Sequence, residues 1–193
     1  MPFLPSLPDD ATLGRIYDEE PAYFMPLVEF SETVMRGSSA LSPGDRELIA
    51  AYTSGLNACS FCTGAHRAAA TAFGLDADIF ESMMADLDNA PVDARLKPIL
   101  RYVGKLTLTP SKMVQADADA VFDAGWDEQT LRHAIIVSAL FNFFNRVVDG
   151  HGVAGDPDAD ADRGGALASK GYLGMHGPRL QALIDGQADA TPA

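Results

Sequence analysis

The chain has 193 residues, enough for one domain with a substantial core. Hydrophobic residues make up 47% and charged residues 21%, which fits a globular protein and excludes a disordered one. The 27 acidic residues outnumber 14 scattered lysines and arginines, giving a formal net charge of −13, so nucleic-acid backbones and anionic membrane surfaces are excluded as partners.

Residues 1–10 carry Pro2, Pro5 and Pro8 and predict an extended arm; with no basic region and no long apolar run they are not a secretory signal. Residues 11–36 predict one or two helices, interrupted near Pro21 and Pro26. The next start is sharply marked, with Ser42 as N-cap, Pro43 at the first helical position and Asp45 in the capping-box position. That helix is expected to run to about Gly55, with Leu48, Ile49, Tyr52 and Leu56 at helical spacing. A second helix is expected from near Asn57 to the stop at Gly74, and Asp76 to cap a third reaching about Leu87. Residues 92–107 are amphipathic, and Thr109 capping Pro110 predicts a further start. Asp127 opens the longest helix, to about Val148, whose most apolar stretch (134–144) is too short and interrupted to span a bilayer. No run alternates with period two for long, so the fold class is all-α.

From residue 150 the composition shifts to Gly and Asp. Asp156, Asp158, Asp160 and Asp162 alternate like the ligands of a calcium loop, but neither register supplies the glycine and glutamate such a loop needs at its sixth and twelfth positions. A solvated acidic loop over 150–165 is expected instead, followed by a frayed tail over 186–193. The expected organisation is a single domain over 1–193 with its helical core in 20–150.

Both cysteines fall in the segment NACSFCTGAH, residues 57–66. On a helix, Cys59, Cys62 and His66 share one stripe, and Cα atoms three residues apart lie at roughly 5 to 5.5 Å, within disulfide range. Two effects activate a thiol here. The helix start favours a thiolate at Cys59, whereas His66 leans toward the N-terminus over Cys62 and can take its proton. Geometry therefore favours Cys62 as the attacking thiol and Cys59 as the resolving one. Glu47, on the preceding helix, meets His66 if the two helices pack antiparallel, and a carboxylate at that level needs a partner. Two rival readings exist. Cys59, Cys62, His66 and Glu47 make four potential zinc ligands, although structural sites usually use two separated pairs and the chain has no second pair; alternatively, the cysteines are merely small buried hydrophobes.

The pattern Glu47…Cys59-Ser60-Phe61-Cys62…His66 resembles the motif of the alkylhydroperoxidase AhpD family, within the carboxymuconolactone decarboxylase-like superfamily. The chain length and the later stretch FNFFNRVVDG resemble its peroxidase-related branch; the resemblance spans residues 20–150. It implies an all-helical, homo-oligomeric thiol peroxidase in which Cys62 attacks a hydroperoxide, Cys59 resolves the sulfenic acid as a disulfide, and Glu47 and His66 relay protons. An external dithiol or redoxin would reduce the disulfide, and no metal or organic cofactor is required. The best-studied family members carry a histidine directly before the second cysteine; Phe61 stands there in this chain, so part of the relay is missing or supplied elsewhere. The alternatives are a dithiol–disulfide oxidoreductase and a non-enzymatic redox-sensing oligomeric protein. A cytoplasmic location is the default expectation.

A second constellation lies on the 127–148 helix, where Ser138, Asn142, Asn145 and Asp149 form a polar stripe with Arg146 beside it. It is read either as an exposed or hydrogen-bonded network in an oligomer interface, or as a polar wall opposite the thiols. Phe141, Phe143 and Phe144 around it are expected in the core, with an apolar pocket as the other reading. His133, His151 and His176 have no partner at informative spacing and read as surface or structural, and Trp126 reads as a core anchor.

Overall fold

Nine α-helices and one short 3-10 turn, with no strand, make up the regular structure of the computed structural model over its described residues, 1–188. In chain order they are α1 (Leu13–Glu19), α2 (Pro21–Arg36), α3 (Pro43–Leu56), α4 (Ser60–Ala72), α5 (Ile79–Ala85) and α6 (Leu96–Leu108). The 3-10 turn (Pro110–Lys112), α7 (Gln115–Asp123), α8 (Glu128–Gly150) and α9 (Pro157–Ile184) follow. The all-α class read from the sequence is the class of the structure.

The strongest local signal produces the element it predicts. Ser42 Oγ accepts from the Asp45 backbone N–H at 3.1 Å while the Asp45 carboxylate accepts from the Ser42 N–H at 2.9 Å, a closed capping box that starts α3. Pro21 likewise opens α2, where its missing N–H costs nothing. Pro26, expected as a break, sits inside α2. It forfeits a single rung of the helix, which the packing of Val28, Val34 and Met35 into the core outweighs.

Other boundaries differ for identifiable reasons. Cys59 is the N-cap of α4, outside its first turn, because Ala58 adopts a left-handed φ of 58° and delays the helix. The Asp76 carboxylate accepts from Asp78 N–H at 2.9 Å and closes a turn ahead of α5, so it does not cap that helix. Thr109 and Pro110 start only the 3-10 turn, and α7 begins after Val114, whose N–H is bound by Asp117 at 2.8 Å. The acidic loop expected over 150–165 ends at Asp156. Asp156 caps α9 through the Asp158 N–H at 3.1 Å, and Asp158 and Asp160 occupy the first turn, where carboxylates oppose the positive end of the helix dipole. Of the tail expected to fray over 186–193, residues 189–193 lie outside the described residues.

α3 forms the centre, with Leu48, Ile49, Ala50 and Ala51 essentially excluded from solvent between α4, α8 and α6. α9 crosses α4 and α2. The N-terminal arm bends back, with the Phe3 N–H donating to the His151 carbonyl at 2.9 Å, and seats Leu7 and Ala11 against Cys59, Phe61 and Cys62. No helix among the described residues is long and apolar enough to cross a membrane.

The α4–α9 crossing depends on a glycine for closeness. A Cβ on Gly164 would meet the Ala68 side chain and lie 2.5 Å from the Ala69 backbone nitrogen, whereas one on Gly165 would meet nothing within 4 Å. Gly164→Ala is expected to lower the unfolding free energy by about 1–3 kcal/mol in urea titrations. Gly165→Ala, in the same helix turn, is expected to raise it by roughly 0.5–1 kcal/mol.

Candidate active site

The turn between α3 and α4 places the two cysteines, and it is tied down by α8. Asn57 Nδ2 donates to Asn142 Oδ1 at 3.1 Å and to Asn145 Oδ1 at 2.8 Å, and Asn145 Nδ2 donates in turn to Ser54 Oγ at 2.9 Å. Ser138 lies within 3.4 Å of Thr53 Oγ1 and 3.3 Å of Thr107 Oγ1, and Asn142 Nδ2 donates to Thr107 Oγ1 at 3.1 Å. The polar stripe of α8 is therefore a hydrogen-bonded seam within the chain, joining α8 to α3 and α6. Ser138, Asn142 and Asn145 do not form a solvent face; Asp149 at the end of the stripe is exposed, and its carboxylate acts on the Cys59 thiol. This seam holds Ala58 in its left-handed conformation, which costs a non-glycine residue about 1–2 kcal/mol.

α3 and α4 bring Glu47 and His66 together as the antiparallel packing required. Glu47, fully buried, presents Oε2 at 2.6 Å from His66 Nδ1. An ionised carboxylate only accepts, so the imidazole proton sits on Nδ1 and Nε2 is the free nitrogen. Two further residues reach the same carboxylate, neither foreseen from the sequence. Arg36 Nη2, from the end of α2, donates to Oε1 at 2.7 Å, and the Tyr172 hydroxyl, from α9, lies 3.2 Å from Oε1 and 3.5 Å from Oε2. Burial pushes the Glu47 carboxyl up, but His66 and Arg36 together outweigh it and hold the group below its ordinary value.

The two sulfurs occupy different surroundings. Cys62 and His66 line a cavity of about 340 Å3 whose apolar walls include Tyr17, Phe141, Phe144, Leu167 and Met175. Cys59 is fully buried behind that cavity, among Leu7, Ala11 and Val148. Its thiol is pushed well up, by its hydrogen bond to Cys62 first, then by burial and by charge on Cys62, with the Asp149 carboxylate acting in the same direction, so Cys59 holds its proton. The helix-start effect that would favour a thiolate at Cys59 is outweighed by this enclosure.

Phe61 is buried, with the Arg163 guanidinium of α9 lying 4.3 Å from its ring centroid. Phe141 and Phe144 line the cavity, whereas Phe143 is 42% exposed. His133 binds Ser39 Oγ and the Val34 carbonyl, each at 2.7 Å, and His151 binds the Val147 carbonyl at 2.6 Å, so both are structural. Trp126 is half-buried, donates to the Arg95 carbonyl at 2.7 Å and lies under the Arg95 guanidinium. His176 differs from its expected surface or structural role: it lines the cavity edge-on to Tyr17, with centroids 5.1 Å apart. The zinc reading does not fit the donor set, because both Glu47 oxygens are engaged by Arg36, Tyr172 and His66, and a guanidinium beside a would-be ligand repels a cation.

Residues 21–89, which hold Arg36, Glu47, Cys59, Cys62 and His66, match the model of the carboxymuconolactone decarboxylase family. Among solved structures, an uncharacterized peroxidase-related protein from Silicibacter sp. TM1040 is similar, with 26% identity and a TM-score of 0.64 over 72% of this chain and 71% of that one. The alkylhydroperoxidase AhpD core of an uncharacterized peroxidase-related protein from Ralstonia eutropha JMP134 shares the fold, with 21% identity and a TM-score of 0.71 over 78% of both chains. No curated protein matches the sequence.

Burial lowers the His176 imidazole to about 4, with Asp18 acting in the opposite sense. Between that value and the ordinary 6.5 the unfolded chain takes up a proton that the folded one refuses, so this contribution to stability is present above about pH 6.5 and lost as pH falls toward 4. Urea midpoints at pH 6.5 and pH 4.5 are expected to fall further for the wild type than for His176→Gln. The difference is at most about 1.4 kcal/mol per pH unit, the limit for one proton.

Proposed function

We propose that this chain, which belongs to the AhpD-like, carboxymuconolactone decarboxylase-like family, is a thiol-dependent peroxidase that reduces hydroperoxides through a Cys59–Cys62 disulfide. The observation that carries the reading is the 2.6 Å Glu47–His66 bond beside a cavity in which Cys62, and not Cys59, is the sulfur presented.

The chemistry follows from that placement. The Cys62 thiol gives its proton to His66 Nε2, and the thiolate attacks the terminal oxygen of the hydroperoxide. The S–O bond forms as the O–O bond breaks, and His66 returns the proton to the departing alkoxide, which leaves as an alcohol. Glu47 holds the imidazole through Nδ1 and balances the charge it carries between those two transfers. The Cys62 sulfenic acid then condenses with the Cys59 thiol, releasing water and forming the disulfide. An external dithiol or redoxin reduces that disulfide by exchange at Cys62, becoming a disulfide itself.

Plain dithiol–disulfide exchange also uses a base to form the Cys62 thiolate, but it has no alkoxide leaving group to protonate. Breaking an O–O bond in an apolar cavity needs a proton delivered to the leaving oxygen, and the couple is placed to deliver it. That difference favours the peroxidase reading.

A steady-state assay with an organic hydroperoxide and a dithiol donor provides the test. Cys62→Ser is expected to abolish peroxide-dependent dithiol oxidation, and Cys59→Ser to leave a sulfenic acid that a dimedone probe captures. Glu47→Gln is expected to lower kcat/KM by about 10²–10⁴-fold, the usual scale for losing general acid–base help. Equal turnover by the wild type and Cys62→Ser would overturn the reading.

A further inference from the structure

We propose that Tyr172 is a positioning residue of the proton relay, its hydroxyl fixing the Glu47 carboxylate in the orientation that serves His66. The inference rests on the peroxidase reading for the reaction it assists; the geometry stands independently of it.

Glu47 has two oxygens and three donors. Arg36 takes Oε1 and His66 takes Oε2, while the Tyr172 hydroxyl spans both at 3.2 and 3.5 Å. A single donor placed across both oxygens resists rotation of the carboxylate about its last bond, the motion that would carry Oε2 away from Nδ1. Tyr172 is 6% exposed, and burial together with the Glu47 charge pushes its phenol well above the ordinary value, so the group remains a donor.

The backbone beneath Tyr172 is built to hold it there. Gly171 breaks α9 with φ 69° and ψ −177°, a conformation open to glycine, and a Cβ there would lie 2.5 Å from Glu32 Oε2. The break frees the N–H groups of Tyr172 and Leu173, and Glu32 Oε2 on α2 accepts both, at 2.7 and 3.1 Å. The second half of α9 is thus pinned at its first residue, the one that bears the hydroxyl. A continuous chain of contacts runs from Glu32 through the Tyr172 backbone and hydroxyl to Glu47, then to His66 at the cavity.

This arrangement also answers the question raised by Phe61. A phenyl ring in that position offers no proton and is occupied beneath Arg163. The additional hydroxyl that reaches the Glu47 carboxylate comes from α9, 111 positions later in the chain.

The test uses the full-length protein and two readouts, peroxide turnover and the pH profile of Cys62 alkylation by iodoacetamide in a Cys59→Ser background. The charged and titratable groups around Glu47 are Arg36 of α2, His66 of α4 and Tyr172 of α9, with Asp45 and Arg46 beside it on α3. Loss of the hydroxyl removes a donor to the ionised form, which raises the Glu47 carboxyl and exposes it to protonation at higher pH. Tyr172→Phe is expected to lower kcat about tenfold with KM within twofold, and to move the acidic limb of the alkylation profile to higher pH. In a Glu47→Gln background the same substitution is expected to add no further loss. An unchanged kcat and alkylation profile, or an equal loss in the Glu47→Gln background, would overturn the proposal. A shifted alkylation profile in a protein that shows no peroxide turnover would sustain the role of Tyr172 and remove the peroxidase reading instead.

Discussion

A carboxylate wholly removed from water must be compensated by its neighbours, and the mutual placement of α2, α3, α4 and α9 follows from compensating Glu47. Stripped of partners, such a charge costs several kcal/mol even after relaxation. Arg36, itself mostly buried, supplies the countercharge and is braced in turn by the Leu167 carbonyl at 2.9 Å and by the rings of Phe73 and Tyr172. Four helices are thereby tied to one side chain. Buried ion pairs add little net stability compared with apolar packing, because desolvation consumes the Coulombic gain. What this one supplies is direction: it fixes which carboxylate oxygen faces His66 and hence which imidazole nitrogen is left for the cavity.

The same economy of placement separates the two sulfurs. Helix termini and imidazoles both favour thiolates, and by sequence the first acts on Cys59 and the second on Cys62. The structure resolves the competition through enclosure. Cys59 is enclosed by Leu7, Ala11 and Val148 and keeps its proton, while Cys62 borders the cavity. The left-handed Ala58 makes this possible by setting Cys59 at the N-cap instead of on the helix. Its strain of about 1–2 kcal/mol is offset by the two bonds of Asn57 and by the seam behind it, each bond contributing about 0.5–1.5 kcal/mol.

What was legible in the sequence was whatever rests on short spacing. The capping box at Ser42, the helical period through α3 and α8, and the run from Glu47 to His66 are all local patterns, and each maps onto an observed element or contact. Charge runs misled, because Asp156–Asp162 reads as a solvated loop unless one knows that α9 begins there and that its first turn welcomes carboxylates. Pro26 misled for the opposite reason, since tertiary packing overrode a strong local breaker. Arg36 and Tyr172 left no trace, as the pairings Arg36–Glu47 and Tyr172–Glu47 join helices whose crossing is fixed by packing and by no sequence spacing. His176 was invisible for the same reason. The polar stripe of α8 was legible as a hydrogen-bonded network, but periodicity shows that residues share a face without showing that this face meets α3 and α6.

α9 also decides how the site must work. It lies beyond the segment 21–89 that matches the family model, and it supplies Arg163, Leu167, Tyr172, Met175 and His176 to the cavity over Cys62. A thiol in open water can lose its proton to solvent, and a departing alkoxide can collect one there. Beneath the largely apolar and aromatic side chains that α9 lays over Cys62, charge created in the cavity is screened less than in open water. On the peroxidase reading proposed above, both proton transfers would draw on groups fixed in the protein, and the short Glu47–His66 bond supports that route. Covering the thiol and holding the relay are thus tasks of one helix: α9 lines the cavity over Cys62, and its Tyr172 hydroxyl reaches the Glu47 carboxylate that, on the proposed reading, the reaction would use.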